Sequence, residues 1–411
     1  MSSTKQDIKA VCRWTGRPGL LPALTGLVLV GVAAFVGGVL GANPLRAWQA
    51  YLINLVFWTG LAAGAVLFSA IQSITHAFWG RPLKRLAEAP GTFLMIAPLL
   101  FLVLYAGRGH LFPWIAHPVP GKEIWLNVPF LFLRDGIGLL LLGAAAFNLI
   151  RLSVRRETDP AATPLSLATD TGGREEGVVM VFANIYAILC AVVLSLIAFD
   201  LIMSLSPHWY STLFGAYYFI GSFYMALAAL MLLACLAVRK EGMGRYIEAL
   251  QFQNLGKLML GFALLTGDFF FTQFLVIWYG NLPEETAFVI LRTQFAPWRS
   301  LAWTVLAVCF VLPFVVLLSR RIKLRPWAMF TLGSVILIGM WLEKFLLVVP
   351  SLWQGQGLPL GVSEVSISLG FFGVMALCIA TFLKKFPILP FADPLLRVEK
   401  EGQGIDEEVK R

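Results

Sequence analysis

Among the ionisable residues inside long apolar runs of this chain, four stand out: Asp200, Asp268, Glu343 and Lys344. An uncompensated charge in such a run costs several kcal/mol, so each residue needs a partner, water or a task. Asp268 sits in Thr266-Gly267-Asp268-Phe269-Phe270-Phe271-Thr272, with Thr272 one turn on and on the same helical face. It reads either as a proton carrier or as an acid kept for helix packing. Glu343 and Lys344 are adjacent and should project about 100° apart, so each is expected to find its partner on another helix. Asp200 is a candidate partner for Lys344 if the two halves of the chain face one another. A buried acid–base–acid set of this kind is either a proton relay or a structural lock.

Two further groups lie nearer the ends of apolar runs. Ser69, Gln72, Ser73 and His76 are spaced i, i+3, i+4, i+7, which places them on one helical stripe. Such a stripe suits a hydrated proton entry, and it equally suits polar contacts between helices. One apolar run closes on Arg108-Gly109-His110, and the next opens around Arg134-Asp135. A His and an Asp at similar depth could receive the two protons of a quinol as it is oxidised. The alternative is an interfacial Arg134–Asp135 ion pair beside a solvated His110.

The elements that position these groups must be membrane spans. The chain of 411 residues is 58% hydrophobic and 13% charged, outside the range of soluble domains. Apolar runs at about 19–42, 48–78, 92–109, 127–150, 179–204, 209–238, 255–280, 300–319, 327–349 and 362–384 give ten spans. Of the 32 Lys and Arg residues, 25 fall in alternate connections and the two termini. That asymmetry predicts cytoplasmic N and C termini in a bacterial inner membrane. The net charge of +9 is thus explained by topology and does not imply nucleic-acid binding. The five cysteines have no C-x-x-C spacing, so no metal or cluster site is read from them. The four histidines, His76, His110, His117 and His208, are not placed for facing pairs across the spans, which argues against haem ligation.

The organisation expected is an all-α polytopic membrane domain over 19–385. A segment 1–18 precedes it and a polar tail 386–411 follows, both cytoplasmic. The connection 151–178, with Pro160, Pro164, Gly172 and Gly173, reads as an exposed linker, and the aromatic loop 107–126 as a segment lying on the membrane or under a partner. A repeat is suggested where Phe199-Asp200-Leu201-Ile202 precedes Pro207 and Trp209, and Leu342-Glu343-Lys344-Phe345 precedes Pro350 and Trp353. Each acid lies seven residues before its proline, about 10 Å below the span boundary. Two four-helix bundles, about 48–204 and 209–349, would then be flanked by spans 19–42 and 362–384.

Taken together these features resemble the polysulfide-reductase-type (NrfD-like) membrane subunits. Within that family, Phe199-Asp200-Leu201-Ile202-Met203-Ser204-Leu205, Pro207-His208-Trp209-Tyr210-Ser211-Thr212 and Phe214-Gly215-Ala216-Tyr217-Tyr218 look like one branch. So do Gly267-Asp268-Phe269-Phe270, Trp278-Tyr279-Gly280-Asn281-Leu282-Pro283 and Glu343-Lys344-Phe345. That branch is the F-type, second quinol-interacting subunit of alternative complex III, a quinol:cytochrome c oxidoreductase. The resemblance covers about 20–385. It implies menaquinol as the substrate of the assembly and no redox centre, metal or covalent cofactor in this chain. The implied partners are a multihaem cytochrome c subunit, an iron–sulfur molybdopterin-oxidoreductase-like subunit, a homologous ten-span sister subunit and a haem–copper oxidase. It points to His110 and Asp135 as quinol ligands, and to proton transfer as the usual contribution of an F-type subunit. The proton-path residues expected are Asp200, Asp268, Glu343 and Lys344, with Ser69, Gln72, Ser73 and His76 as the entry. The alternatives are a secondary transporter using the same buried charges and a purely structural anchor for redox subunits.

Overall fold

The computed structural model describes residues 19–158, 170–240, 242–353, 355 and 357–389. The N-terminal segment 1–18 and the tail beyond 389 lie outside the described residues. The chain is an all-α polytopic membrane protein, with no strand among the described residues. Its main helices are α1 (Leu20–Val39), α2 (Pro44–Ile74), α3 (Ala97–Leu111), α4 (Val128–Thr158), α5 (Asp170–Ile197) and α6 (Phe214–Val238). They continue with α7 (Ala249–Gly280), α8 (Pro283–Thr293), α9 (Trp298–Leu318), α10 (Pro326–Val348) and α11 (Val362–Lys385).

Among the described residues, nine helices are long and apolar enough to cross a membrane. The expected third span supplies the tenth, as a bent pair: Arg81–Met95 meets α3 at 41°. The break follows Pro90 and Gly91, which interrupt regular helical hydrogen bonding. The linker expected over 151–178 is shorter than predicted. Helix α4 runs on to Thr158 and α5 starts at Asp170, so charged residues such as Arg151 and Arg155 extend a helix past the apolar run; 159–169 lie outside the described residues.

Helix α2 is the centre of the molecule, with 94% of its apolar window buried. It packs most heavily on α6 and also on α5, α10, α11 and the segment before α3. The α2–α6 approach depends on small residues: a Cβ on Gly60 would lie 2.5 Å from Ser222 Oγ, and one on Gly64 2.6 Å from the Ser222 carbonyl oxygen. Helices α4 and α5 pair beside α2, while α7, α9 and α10 gather around α6. The flanking helices α1 and α11 pair with each other through Gly31 and Gly370, where a Cβ on Gly31 would sit 2.4 Å from the Gly370 Cα. An ion pair ties α11 to α2, from Arg46 Nε to Glu364 Oε1 at 2.8 Å.

The aromatic loop between α3 and α4 is part buried and part exposed, with Ile124 at 89% exposure. Phe112 and Trp114 are buried, and Trp125 reaches back to the end of α5. A chain turn rich in Pro and Trp is stiff and apolar, so its first residues pack onto the helix ends while Ile115, Ile124 and Trp125 keep an apolar surface outward.

Candidate proton-transfer sites

Two buried acid–base clusters form near the same end of the helices, one in each half. The first is built from α4, α5 and the aromatic loop. Helix α5 loses its regular winding at Ala198–Ile202, which forms a π turn, and then tightens over Met203–Leu205 before Pro207. This change of winding carries Asp200, fully buried, towards α4. Its Oδ2 accepts a hydrogen bond from Arg134 Nε at 2.7 Å, with Nη2 at 2.6 Å; its Oδ1 accepts from Trp125 Nε1 at 2.9 Å. The Arg134 guanidinium is covered by Trp125 at 3.9 Å and Phe130 at 4.4 Å, so the cation is held by carboxylate and rings together. Lys122 donates to the Pro207 carbonyl at 2.7 Å and closes the loop over the site.

Asp135, 1% exposed, lies beside Asp200, and neither of its carboxylate oxygens receives a donor hydrogen bond. One guanidinium facing two adjacent carboxylates makes a neutral cluster only when the two acids hold one proton between them. In place of the alternative of a local Arg134–Asp135 ion pair, Arg134 pairs with Asp200. His110 is exposed at the end of α3, and no hydrogen bond joins it to Asp135.

The second cluster is centred on α10. Glu343 Oε1 accepts a hydrogen bond from the Tyr217 hydroxyl at 2.7 Å, and Glu343 Oε2 lies 2.6 Å from Lys344 Nζ. The expectation that Glu343 and Lys344 would not pair is therefore corrected, and so is the pairing of Lys344 with Asp200. Adjacent Cα–Cβ bonds do diverge, but both side chains are long enough to curl back towards each other. In an apolar interior the nearest opposite charge wins. Lys344 is fully buried, with Nζ 4.9 Å from the ring centre of Tyr218.

Glu343 also forms part of the wall of a largely apolar pocket of about 140 Å³ between α6, α7, α8, α9 and α10. Trp209, Phe214, Phe288 and Phe310 supply aromatic walls, and Trp209 stacks on Phe288 at 3.8 Å. Helix α9 bulges into a π turn at Ala307–Val311, which brings Cys309 and Phe310 to the pocket. Single π turns recur where a helix must present a side chain off its regular face. Arg292 roofs the pocket without any acid: it donates to the carbonyls of Phe288, Leu346 and Leu347 and to Ser351 Oγ. Through Leu346 and Leu347 it caps the end of α10, whose last-turn carbonyls lack helical partners.

At the opposite, basic end, the expected polar stripe on α2 meets a buried ion pair. Ser69 Oγ donates to Glu88 Oε1 at 3.0 Å, and Glu88 Oε2 pairs with Arg85. Both charged residues are at most 1% exposed. Ser73 donates back to the Ser69 carbonyl, Gln72 is buried against Gly80, and His76 ends the stripe, exposed, with a positive φ. Between the ends, the Tyr218 hydroxyl donates to the Val56 carbonyl and the Tyr186 hydroxyl to the Ala63 carbonyl. Tyr218 lies within electrostatic reach of both Glu343 and Cys190, and Cys190 neighbours Tyr186.

Asp268 joins neither cluster. It is exposed on the outward face of α7, with no hydrogen bond or ion pair among the described residues. Arg85, Glu88, Tyr217 and Arg292 are not among the residues singled out from the sequence, and Arg134 is expected there only as a partner of Asp135. The i, i+3 spacing of Arg85 and Glu88 was the one available signal for the pair at the basic end. Among the described residues, no group of three or more His, Cys, Asp or Glu side chains converges on a metal-sized site.

The family model for polysulphide reductase, NrfD, matches residues 38–354, which include both clusters, the pocket and the polar stripe. This chain belongs to the NrfD family. NrfD proteins are membrane subunits of quinone-interacting oxidoreductase complexes, and they generally partner iron–sulfur molybdoenzyme-type subunits. A comparison with curated proteins found no match.

Proposed function

We propose that this NrfD-family chain is the F-type subunit of an alternative complex III, a respiratory quinol:cytochrome c oxidoreductase, and that it supplies a proton-transfer path. The observation that carries this reading is Glu343: a buried carboxylate held by Tyr217 and Lys344 that also faces an apolar pocket. A carboxylate with one hydroxyl donor and one ammonium has two states separated by a single proton, and a pocket at its edge gives that proton somewhere to come from.

The path runs from Glu343 and Lys344 past Tyr218, Cys190 and Tyr186 towards Ser69, Glu88 and the stripe ending at His76. The Asp135–Asp200 pair, sharing one proton beside Arg134, is the corresponding store in the first half. A quinol hydroxyl from the assembly would meet Asp135, the buried acid without a donor; His110 stands outside it at the surface. In this reading the basic end faces the cytoplasm of a bacterial inner membrane. Electrons pass through multihaem cytochrome c and iron–sulfur partners alongside a ten-span sister subunit, on to a haem–copper oxidase, with menaquinol as donor. This chain itself contributes no step of electron transfer.

The reading is tested by isolating the tagged chain from native membranes in mild detergent. The expected preparation shows c-type haem absorbance and quinol:cytochrome c activity. A colourless, isolated protein that moves a solute across proteoliposomes would instead establish a secondary transporter.

A further inference from the structure

Asp268 is an acid on the outside of the membrane domain, and its depth can be read from its own helix. On α7, exposed Lys257 marks the basic end, and Trp278 and Tyr279, 65% and 86% exposed, mark the other. Trp and Tyr settle at either membrane interface and long cations snorkel to one, so these residues at the two ends of α7 bracket its hydrocarbon-spanning stretch. Lys257 and Trp278 are 21 residues apart, about 31 Å of helix and therefore about one hydrocarbon thickness. Asp268 is eleven residues from one marker and ten from the other, at the mid-plane. Its neighbours on the outward face are mostly apolar, Leu264 (41% exposed), Leu265, Phe271 (58%) and Leu275, with Thr272 the one hydroxyl beside it. Gly261 lies on the same stripe, and a Cβ placed there would meet nothing within 4 Å.

We infer that this face of α7 is a docking surface for a transmembrane helix of a partner subunit that carries a Lys or Arg at mid-membrane. Three occupants compete for the face, and charge decides between them. Lipid tails offer no donor at that depth, and the headgroups lie about 15 Å away along the helix. A second copy related by a twofold axis normal to the membrane would set Asp268 against Asp268, a like-charge contact. A helix with a cation at this level satisfies the carboxylate, and Gly261 lets its backbone come close one or two turns away. This inference concerns the assembly and holds whichever electron acceptor the complex serves.

The test uses the complex in its native membranes. A photo-crosslinking side chain placed at Leu275 or Leu264 in the otherwise unaltered protein should link to one membrane subunit, at a helix with a basic residue at mid-span. Asp268→Lys should lower co-purification of that subunit about tenfold or more, and Asp268→Asn by less. Replacing the partner's basic residue with Asp should restore assembly with Asp268→Lys. Normal size-exclusion behaviour of Asp268→Lys separates loss of docking from misfolding, and the crosslink in unaltered protein stands apart from either. Crosslinks to lipid alone, to a second copy, or to a helix with no basic residue at that depth would overturn the inference. So would full subunit retention by Asp268→Lys.

Discussion

The two buried clusters occupy matching positions, seven residues before Pro207 and Pro350, yet they solve the problem of a buried acid in different ways. Asp200 takes its cation from another helix, and a tryptophan and a lysine of the aromatic loop close the site. Glu343 takes its cation from the next residue in its own helix. The consequence is spatial. Because α10 provides both charges, the neighbouring helices α7 and α9 need not close on Glu343, and a pocket remains there. A charge pair spread across two helices fastens them together; one contained in a single helix leaves its surroundings free for another occupant. On the proposed reading, Asp200 in the first cluster fastens helices beside its proton store, and Glu343 in the second is the group that exchanges.

That contrast can be broken by mutation, and the largest effect is expected at Asp200. Asp200→Ala takes from Arg134 its hydrogen-bonded carboxylate and should cost up to about 3–5 kcal/mol, the full figure if Asp135 does not move in to replace it, read as loss of the assembled complex or a sharply lowered Tm. If stability were unchanged, the fastening role would be wrong. Tyr217→Phe removes the hydroxyl donated to Glu343 and should cost about 1.5–3 kcal/mol if that carboxylate is charged, measured by thermal unfolding of the purified complex. A cost near zero would mean that Glu343 finds another donor from the pocket. Ser69→Ala removes one donor to Glu88 but leaves Arg85 in place, so about 1 kcal/mol is expected by the same assay. His110→Ala is the smallest: an exposed residue should shift stability by under about 0.5 kcal/mol. Its quinol:cytochrome c rate should stay near that of the unaltered complex if Asp135 alone meets the hydroxyl, and a large fall would restore His110 as a ligand.

The membrane helices were legible because uninterrupted apolar runs and alternating basic connections are one-dimensional signals. The positions of Asp200, Glu343 and Lys344 in buried surroundings follow from the same runs. Their partners were not legible. Arg134 could have met Asp135 or Asp200, and only the π turn in α5 settles the choice, because it alters the direction in which Asp200 projects. Glu343 and Lys344 were separated by a rule about Cα–Cβ directions that ignores side-chain length. The outward placement of Asp268 was hidden for another reason: α7 is apolar on nearly every face, so its sequence carries no stripe from which the buried side could be chosen.

The central claim is that Glu343 exchanges a proton as part of the working complex, and Glu343→Gln tests it most directly. Gln keeps the shape and can still accept from Tyr217, but it cannot bind and release a proton. With the complex reconstituted in sealed vesicles, protons translocated per electron should fall well below the unaltered value while quinol oxidation in uncoupled vesicles is largely kept. An unchanged proton-to-electron ratio in a fully assembled Glu343→Gln complex would contradict the account.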